Sequence, residues 1–348
     1  MNMKKKHVII LVIAAVVILI VAAVAVEQYY RYEICNFTSK DGEEHGYHVY
    51  PNTNLDSLLT TIRQDYEMGT ETSFRWHSRH AQFRTPKEGY YLFPAKMGNK
   101  QLIRRLQMGE QTPVKLTFTQ QIRTRAQLAG HLGKQLLLDS VSVKSRLDSA
   151  KYMAQYGLVP ETAVCLFLPN TYEVYWTITP DQLFQRMYKE YNRFWNDTRR
   201  AKAAALGLTP AEVATIASII ASETNKAAEY PTIASIYLNR LRKGIPLQAC
   251  PTVIYAVGDF SMRRVLKRHL ETDSPYNTYK YRGLPPGPIR LARTSIIDAV
   301  LDAPKTDYLY MCANPDFSGT HVFSSSYTQH AATARRYQRE LNKRNIRS

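Results

Sequence analysis

The sequence has few cysteines, and their spacing is not that of a metal site. Four cysteines are spread over 348 residues, at positions 35, 165, 250 and 312. His321 and His330 have no acid or cysteine at a suitable spacing, so we expect no metal ion and no cofactor. In an oxidising compartment one pair of cysteines could form a disulfide. Cys165 and Cys312 lie in apolar stretches, where we expect buried thiols that pack as small hydrophobic side chains.

Acidic residues are also scarce. The chain has 29 Asp and Glu against 46 Lys and Arg, which gives a formal net charge of +17 and a pI near 9.6. Such an excess of basic residues ordinarily indicates nucleic-acid binding. The N-terminus argues against that interpretation.

One long apolar run lies at the N-terminus. Residues 8–26, from Val8 to Val26, are 19 consecutive apolar residues, which is long enough to cross a bilayer as a helix. The lysines at positions 4, 5 and 6 would hold its first end in the cytoplasm. We predict an uncleaved single-pass anchor in the cell (inner) membrane. A cleavable signal peptide is the alternative, since residues 23–25 have the small-x-small form of a cleavage site, but the apolar core is long for one.

The anchor decides what the basic charge can attract. Everything after Glu27 is expected to lie outside the cytoplasm, on the periplasmic or extracytoplasmic side. There the accessible polyanions are acidic polymers and lipid headgroups, and no nucleic acid is expected as a partner.

A single carboxylate interrupts an apolar helix in the second half of the chain. Residues 209–212, Thr-Pro-Ala-Glu, have the form of a capping box with Pro at the first helical position. Apolar residues then recur at helical spacing, and Glu223 falls three residues after Ile220 on the same stripe. Burial there would raise the pKa of Glu223, as in a general acid that stays protonated near neutral pH. Alternatively, Glu223 lies at the helix end and turns to solvent or caps the next segment.

Polar and aromatic residues concentrate in the stretches after this helix. A second helix is predicted from Pro231 to about Gly244, and Pro-stiffened loops rich in Tyr, Asn, Gln and Thr follow it. Flat aromatic faces and neutral hydrogen-bonding groups suit a sugar, although the same residues are common in ordinary turns. The candidate substrate-binding residues are Asn239, Arg240, Gln248, Thr252, Tyr255, Tyr276, Asn277, Thr278, Tyr279, Pro285 and Pro286.

Five ordered motifs in this region carry a family resemblance. They are residues 219–224 (IIASET), 234–241 (ASIYLNRL), 247–248 with 251–255 (LQ and PTVIY), 276–279 (YNTY) and 283–287 (GLPPG). Together they resemble the membrane-anchored endolytic murein transglycosylases, the MltG or YceG-like family. Glu223 matches the family's catalytic acid, which directly precedes Thr. Members often carry another acid two residues earlier, where this chain has Ala221.

The resemblance implies a reaction and its partners. It implies cleavage of the β-1,4 bond between N-acetylmuramic acid (MurNAc) and N-acetylglucosamine (GlcNAc) within peptidoglycan glycan strands, without water, to leave 1,6-anhydro-MurNAc ends. Glycan-polymerising synthases are possible partners. A two-carboxylate hydrolase with Glu229 as second acid is the mechanistic alternative, and Glu229 could instead orient Asn239 or Arg240. The alternative function is a non-catalytic peptidoglycan-binding or scaffold protein of the cell-wall synthesis machinery.

The predicted fold class is α+β in three parts. Residues 1–27 are the cytoplasmic tip and transmembrane helix, residues 28–159 a small LysM-like α+β module with a linker, and residues 160–348 a larger α+β catalytic domain. In the module we expect strands at 46–50, 89–94 and 114–118, a helix starting near Asn54 and another at 99–106. In the catalytic domain we expect one long helix at 181–206, a helix at 295–301 and paired strands at 308–312 and 321–323. A basic and aromatic cluster at residues 75–80 is interpreted as a solvated helix face.

Overall fold

The chain divides into two compact units. The structure is a computed structural model that describes residues 3–262 and 264–344. The first unit runs to Lys115 and includes Glu173–Thr177, and the second contains Leu116–Tyr172 and everything from Ile178 onward. The expected boundary at residue 160 therefore lies inside the second unit. A short 3₁₀ helix, Pro160–Leu166, begins there and is buried over its last four residues, so it is part of a core and not a linker.

The first helix is longer than the apolar run that predicted it. Helix α1 spans Met3–Glu33, and its apolar side chains are exposed, with Leu19 at 69%. Residues Lys5–Glu33 are long and apolar enough to cross a membrane, which is compatible with a single-pass anchor. Two turns beyond the apolar run stay helical, where Arg31 pairs with Glu27 at 2.8 Å across one turn.

The rest of the first unit is a small α+β core. Its elements are β1 (Phe37–Ser39), β2 (His45–Val49), α2 (Leu55–Asp65), β3 (Tyr66–Met68), α3 (Glu71–His80), β4 (Gly89–Phe93), β5 (Lys96–Met97) and α4 (Asn99–Met108). One sheet has the order β3-β1-β5, and β2 pairs with β4 in antiparallel register. The strands expected at 46–50 and 89–94 and the helix expected at 99–106 are confirmed, and Asn54 caps α2 by accepting a hydrogen bond from the Ser57 amide.

The basic and aromatic cluster on α3 is only partly solvated. Trp76 is 53% exposed, as a solvated helix face requires. His77 is buried instead, because α1 covers it: its ring stacks on Tyr32 with centroids 4.4 Å apart. Gln28 of α1 accepts a hydrogen bond from Ser73 on the same face of α3. The end of α1 is therefore packed into the first unit.

The second unit is mainly helical. Its elements are β6 (Val114–Thr117), α5 (Arg125–Gln135), α6 (Ser140–Asp148), α7 (Ala150–Ala154), β7 (Thr171–Val174), α8 (Pro180–Phe194), α9 (Asp197–Ala205), α10 (Pro210–Glu223), α11 (Tyr230–Arg242), α12 (Cys250–Val257), α13 (Thr294–Leu301), β8 (Tyr310–Ala313), β9 (His321–Ser324) and α14 (Tyr327–Lys343). Two further 3₁₀ turns cover Ala227–Glu229 and Lys267–Glu271. Strands β6 and β7 pair, and the unit boundary passes through both. The predicted hairpin is confirmed, since β8 and β9 are antiparallel neighbours.

Two helix predictions in this unit were wrong. The single helix expected at 181–206 is two helices, because Asn196 interrupts it and caps α9 by accepting a hydrogen bond from the Arg199 amide. Residues 250–257, expected to be loop, form α12. Pro251 occupies its first turn, and Gly258 ends it in the left-handed conformation that glycine favours.

Helix α10 is the central helix of the second unit. Its predicted capping box is present: the Glu212 carboxylate accepts from the Thr209 amide at 2.7 Å, and the Thr209 hydroxyl accepts from the Glu212 amide at 3.3 Å. Every residue from Val213 to Ala221 is buried, so the helix is enclosed on all sides, not on one stripe. It ends at Glu223, and the enclosed helix therefore fixes where that carboxylate emerges.

All four cysteines lie in the described part of the chain and are free thiols. Cys165 is buried, as expected, and burial raises the pKa of its thiol to about 12. The expectation was wrong for Cys312, which is only partly buried because β8 presents it to an open cleft.

Candidate active site

Glu223 projects from the end of α10 into the wall of a cleft. Its Oε1 accepts a hydrogen bond from the Tyr237 hydroxyl of α11 at 2.9 Å. Burial raises the pKa of Glu223, against smaller lowering effects of the Tyr237 hydrogen bond and the charge of His321. Part of the side chain stays accessible from the cleft although protein surrounds the carboxyl group. A carboxyl group held in this way keeps its proton to higher pH than an exposed glutamate.

The cleft in front of Glu223, here called the aromatic cleft, has a volume of about 400 Å³. Its walls come from α11, the segment after it, the β8–β9 hairpin and α14. The lining residues are Glu223, Ile236, Tyr237, Arg240, Leu247, Gln248, Cys250, Tyr279, Leu309, Tyr310, Met311, Cys312, Ala313, His321, Tyr327 and His330. Aromatic faces mixed with hydrogen-bonding groups in a concavity of this size suit a small number of sugar rings.

Arg240 and Gln248 shape the floor of the aromatic cleft. Arg240 is buried and donates to the backbone oxygens of Leu309 at 2.6 Å and Pro246 at 2.9 Å. It also donates to the Gln248 side-chain oxygen at 3.2 Å. Gln248 has a φ of 50°, a left-handed conformation that is uncommon outside glycine and that clusters at functional sites. Arg240 therefore joins strand β8 to the segment after α11.

Two histidines line the aromatic cleft, and sequence reasoning had considered them only as metal ligands. The buried Nδ1 of His330 has no hydrogen-bond partner within the described residues, while its ring stacks on Tyr310 with centroids 5.3 Å apart. Burial and the charge of Arg240 lower the pKa of His330, so the ring is neutral at pH 7. A buried polar atom without a partner is uncommon in folded proteins. Among the described residues, no group of three or more metal-ligating side chains gathers here or elsewhere.

Glu229 is tied to the second histidine. It is buried, and its carboxylate accepts from the His321 backbone amide at 2.6 Å and from the Thr224 hydroxyl at 2.9 Å. The His321 Nδ1 lies 3.1 Å from the same carboxylate. Burial disfavours ionisation, but these hydrogen bonds outweigh it and lower the pKa of Glu229. The expected contact with Asn239 or Arg240 is not seen among the described residues: Glu229 instead fixes β9 beside the residue that follows Glu223.

The other candidate residues separate into three groups. Gln248, Arg240 and Tyr279 share the aromatic cleft with Glu223. Tyr255 and Tyr276 pack on each other with ring centroids 4.6 Å apart and line other clefts. The remaining residues support the fold.

Hydrogen bonds show what this supporting group does. Asn239 donates to the backbone oxygens of Thr306 and Tyr308 at 2.7 and 2.9 Å. Asn277 donates to the backbone oxygens of Leu270 and Thr272, and the hydroxyls of Thr252 and Thr278 bond to each other at 2.8 Å. Buried polar residues of this kind hold loops in place.

The 283–287 motif also packs against the protein. Pro285 is buried, Pro286 is exposed, and neither lines a cleft with Glu223. A Cβ added at Gly287 would lie 2.0 Å from the Glu161 backbone oxygen, so only glycine fits that approach. The motif thus fastens the chain to the 3₁₀ helix at residue 160.

A second cleft also borders Glu223. It measures about 400 Å³, is lined by residues 221–226 with Arg290 and Gly319, and is called the basic cleft below. A smaller cavity of about 90 Å³ shares Ser222 and Arg290 with it and adds Arg123, Tyr255 and Phe260; we call it the Arg123 cleft. Glu223 therefore borders both the aromatic and the basic cleft, and a chain-like ligand can extend to either side of it.

Comparisons with known proteins agree on one family. A model of the YceG-like family matches residues 47–336. An endolytic murein transglycosylase of Bacillus subtilis is 28% identical over 301 residues, which is 82% of each chain. One of Streptococcus pneumoniae is 26% identical over 294 residues, which is 75% of this chain and 53% of the relative. A crystal structure of a YceG-like protein from Listeria monocytogenes matches with a TM-score of 0.56 at 26% identity, over 84% of this chain and 99% of that one.

Proposed function

The chain belongs to the YceG-like family, and on that premise we propose that it is an endolytic lytic transglycosylase of peptidoglycan. The names of its relatives in Bacillus and Streptococcus support the enzyme class. The bond we propose is the β-1,4 linkage from MurNAc to GlcNAc within a glycan strand. The products are a 1,6-anhydro-MurNAc end and a free GlcNAc 4-hydroxyl.

Glu223 performs both proton transfers in this proposal. As an acid it protonates the glycosidic oxygen, and the bond from that oxygen to the muramyl C1 breaks. As a carboxylate it then takes the proton of the muramyl C6 hydroxyl, whose oxygen bonds to C1. The carboxyl group returns to its protonated state and no water is consumed. Positioned proton transfer contributes about 10²- to 10⁴-fold to the rate, and binding of the ring in a distorted shape supplies more.

Tyr237 and His321 adjust Glu223 for these two roles. Burial favours the protonated form that the first step needs. The Tyr237 hydroxyl, whose own pKa burial raises well above its ordinary value, stays neutral and donates to the carboxylate formed after that step. His321, held by Glu229, contributes a charge that opposes the effect of burial on the pKa of Glu223. Glu229 is thus a positioning residue here, because its oxygens are already occupied by protein donors.

The two clefts support cleavage within a strand. Glu223 borders both the aromatic cleft and the basic cleft, and we propose that saccharides on the two sides of the scissile bond occupy one cleft each. An enzyme that acts only on strand ends needs one side closed. We propose that Gln248, Tyr279, Tyr310 and His330 contact sugar rings in the aromatic cleft.

The proposed location follows from the first helix. We propose that α1 anchors the protein in the cell membrane with its N-terminus in the cytoplasm and the remainder outside, where glycan strands are assembled. Trimming or terminating nascent strands, next to the synthases that polymerise them, is the role that fits this position. We also propose that the region after the anchor is a LysM-like module that binds glycan.

The observation that carries the proposal is a carboxyl group of raised pKa between two open clefts, and Glu223→Gln tests it. Glutamine keeps the shape and removes the proton. We expect release of anhydro-muropeptides from purified strands to fall at least 100-fold. Glu212→Gln, in the first turn of the same helix, is the control and is expected to retain activity. Equal product release by Glu223→Gln and wild type would instead favour the alternative, a non-catalytic glycan-binding or scaffold protein.

A further inference from the structure

A guanidinium without an acidic partner lies beside Glu223. Arg290 Nη1 donates to the backbone oxygen of Ala221 at 3.1 Å, two residues before Glu223, and its Nε donates to the backbone oxygen of Gln120 at 2.7 Å. In the part of the chain that the structure describes, Nη2 has no hydrogen bond and no carboxylate lies within ion-pair distance of Arg290. Burial, with the nearby charge of Arg123, lowers the pKa of Arg290. A partly buried charge left unpaired is unfavourable until an anion reaches it.

Two further cations border the same space. The Arg123 guanidinium lies 4.7 Å from the centroid of the Phe260 ring and has no carboxylate partner among the described residues. Lys226 projects from the rim of the basic cleft and is exposed. The residues that line the Arg123 cleft include no acid, and those that line the basic cleft include only Glu223. The combined surface is therefore positive next to the reacting carboxyl group.

The cations of the adjoining cleft, in contrast, have an acidic partner. Arg125 and Lys144, in the adjoining cleft, both contact the carboxylate of Asp148, each at 2.5 Å. Arg199 on α9 likewise pairs with Asp298 at 2.7 Å. Beside Glu223, three cations share a space whose lining residues include no acid other than Glu223 itself.

We infer that the basic cleft and the Arg123 cleft together bind a carboxylate of the peptide stem on the muramyl residue next to the scissile bond. This inference rests on the proposed function. A stem leaves the muramyl ring through its lactyl group and advances about 3.5 Å per residue when extended, so its first carboxylates lie within about 10 Å of the ring. A guanidinium group donates paired hydrogen bonds to a carboxylate, and an amide cannot accept them in the same way.

The test compares three preparations of glycan strands: with intact stems, with stems whose carboxylates have been converted to amides, and with stems removed by an amidase so that only the lactyl carboxylate remains. Arg123→Gln is the first variant, because Arg290 also holds two backbone oxygens and its loss could disturb the fold. Lys226→Gln is the second. Lys189→Gln, an exposed lysine on α8 outside these clefts, is the charge-matched control. Thermal unfolding of each variant checks the fold.

We expect Arg123→Gln to lower kcat/KM on strands with intact stems by about 10- to 100-fold, because the variant loses one charge-assisted hydrogen bond to the stem carboxylate. Amidation of the stems should cause a similar loss for wild type and little additional loss for Arg123→Gln, since the two changes remove the same contact. Lys226→Gln should show a smaller loss of the same kind, and Lys189→Gln none.

The inference is overturned if wild type cleaves all three preparations and Arg123→Gln lowers kcat/KM by the same factor on each of them. It is also overturned if Arg123→Gln lowers kcat/KM on none of them. A loss confined to stripped strands would also overturn it, since the lactyl carboxylate would then be the ligand. If wild type releases no anhydro-muropeptides from any preparation, the proposed function itself fails, and that outcome is recognised without the variants.

Discussion

The hydrogen bond from Tyr237 to Glu223 gives the sharpest prediction, because a single oxygen atom can be removed. Tyr237→Phe keeps the ring, which is 2% exposed, and deletes the donor that lies 2.9 Å from Oε1. A hydrogen bond to a charged group contributes about 1.5–3 kcal/mol. At about 1.36 kcal/mol per pKa unit, its loss should raise the pKa of Glu223 by about 1–2 further units.

The sign of the kinetic effect follows from the order of the two proton transfers. The free enzyme needs protonated Glu223, so kcat/KM falls as pH rises through the pKa of that group. The alkaline limb of the pH profile is the range in which kcat/KM falls as pH rises. In Tyr237→Phe this limb should therefore shift to higher pH by about 1–2 pH units. At the optimum kcat should fall by about 10- to 100-fold, because the carboxylate formed after the first step has lost its donor.

The assay is release of anhydro-muropeptides from purified glycan strands across a series of buffers, with kcat/KM fitted at each pH. Tyr279→Phe is the matched control, since its hydroxyl lines the same cleft but lies 3.2 Å from the Cys250 sulfur instead of Glu223. An alkaline limb that stays in place or moves down in Tyr237→Phe would refute the assignment of Glu223 as the acid. A limb that moves equally in Tyr279→Phe would show that the cleft as a whole, and not this hydrogen bond, sets the pKa.

Further predictions follow from the same contacts. Because the folded state raises the pKa of Glu223, the favourable contribution of the protonated group to stability is lost as pH rises through that pKa. The Tm of Glu223→Gln should therefore rise relative to that of wild type as pH is raised from about 5 to 9. A difference in Tm that stays constant with pH in calorimetry would contradict this. The pKa of Glu229 is lowered, so its contribution to stability is present above the unfolded value near 4.3 and is lost as pH falls. In denaturant titrations at pH 7, Glu229→Gln should lower the free energy of unfolding by about 2–4 kcal/mol, and this difference should shrink below about pH 4. His330→Phe keeps the stacking on Tyr310 but removes the unpaired Nδ1; KM should rise about 10-fold with Tm unchanged or higher, and unchanged kinetics would remove His330 from the substrate site. Gly287→Ala should lower stability by about 1–3 kcal/mol, because the new methyl group meets the Glu161 backbone oxygen.

The sequence predicted those features of the site that local spacing determines. The capping box at Thr209 and the helix that it starts were predicted and are present. That the helix ends at Glu223 had been only the alternative to a carboxylate within the buried stripe. The hairpin of β8 and β9 was likewise predicted from two short apolar runs. Position along a helix is a local property, and it was enough to single out Glu223 as a carboxyl group on a buried element.

Contacts between distant segments could not be read in this way. His321 meets Glu229 across 92 positions, and Arg290 meets Ala221 across 69. Composition does not reveal which partner a buried amide will find, and the side chains of Asn239 and Asn277 donate to backbone oxygens. The histidines carried a signal, since His321 begins the last predicted strand and His330 follows it, but only the folded chain brings them into one cleft with Glu223.

The unbroken course of α1 also determines how far the protein can reach. The helix leaves its apolar segment at Val26, and Gln28, Tyr32 and Glu33 already contact α3 and α4. At 1.5 Å per residue, the membrane segment and the first unit are separated by only about one residue of helix. If α1 stands in the bilayer, the first unit is therefore held at the lipid surface.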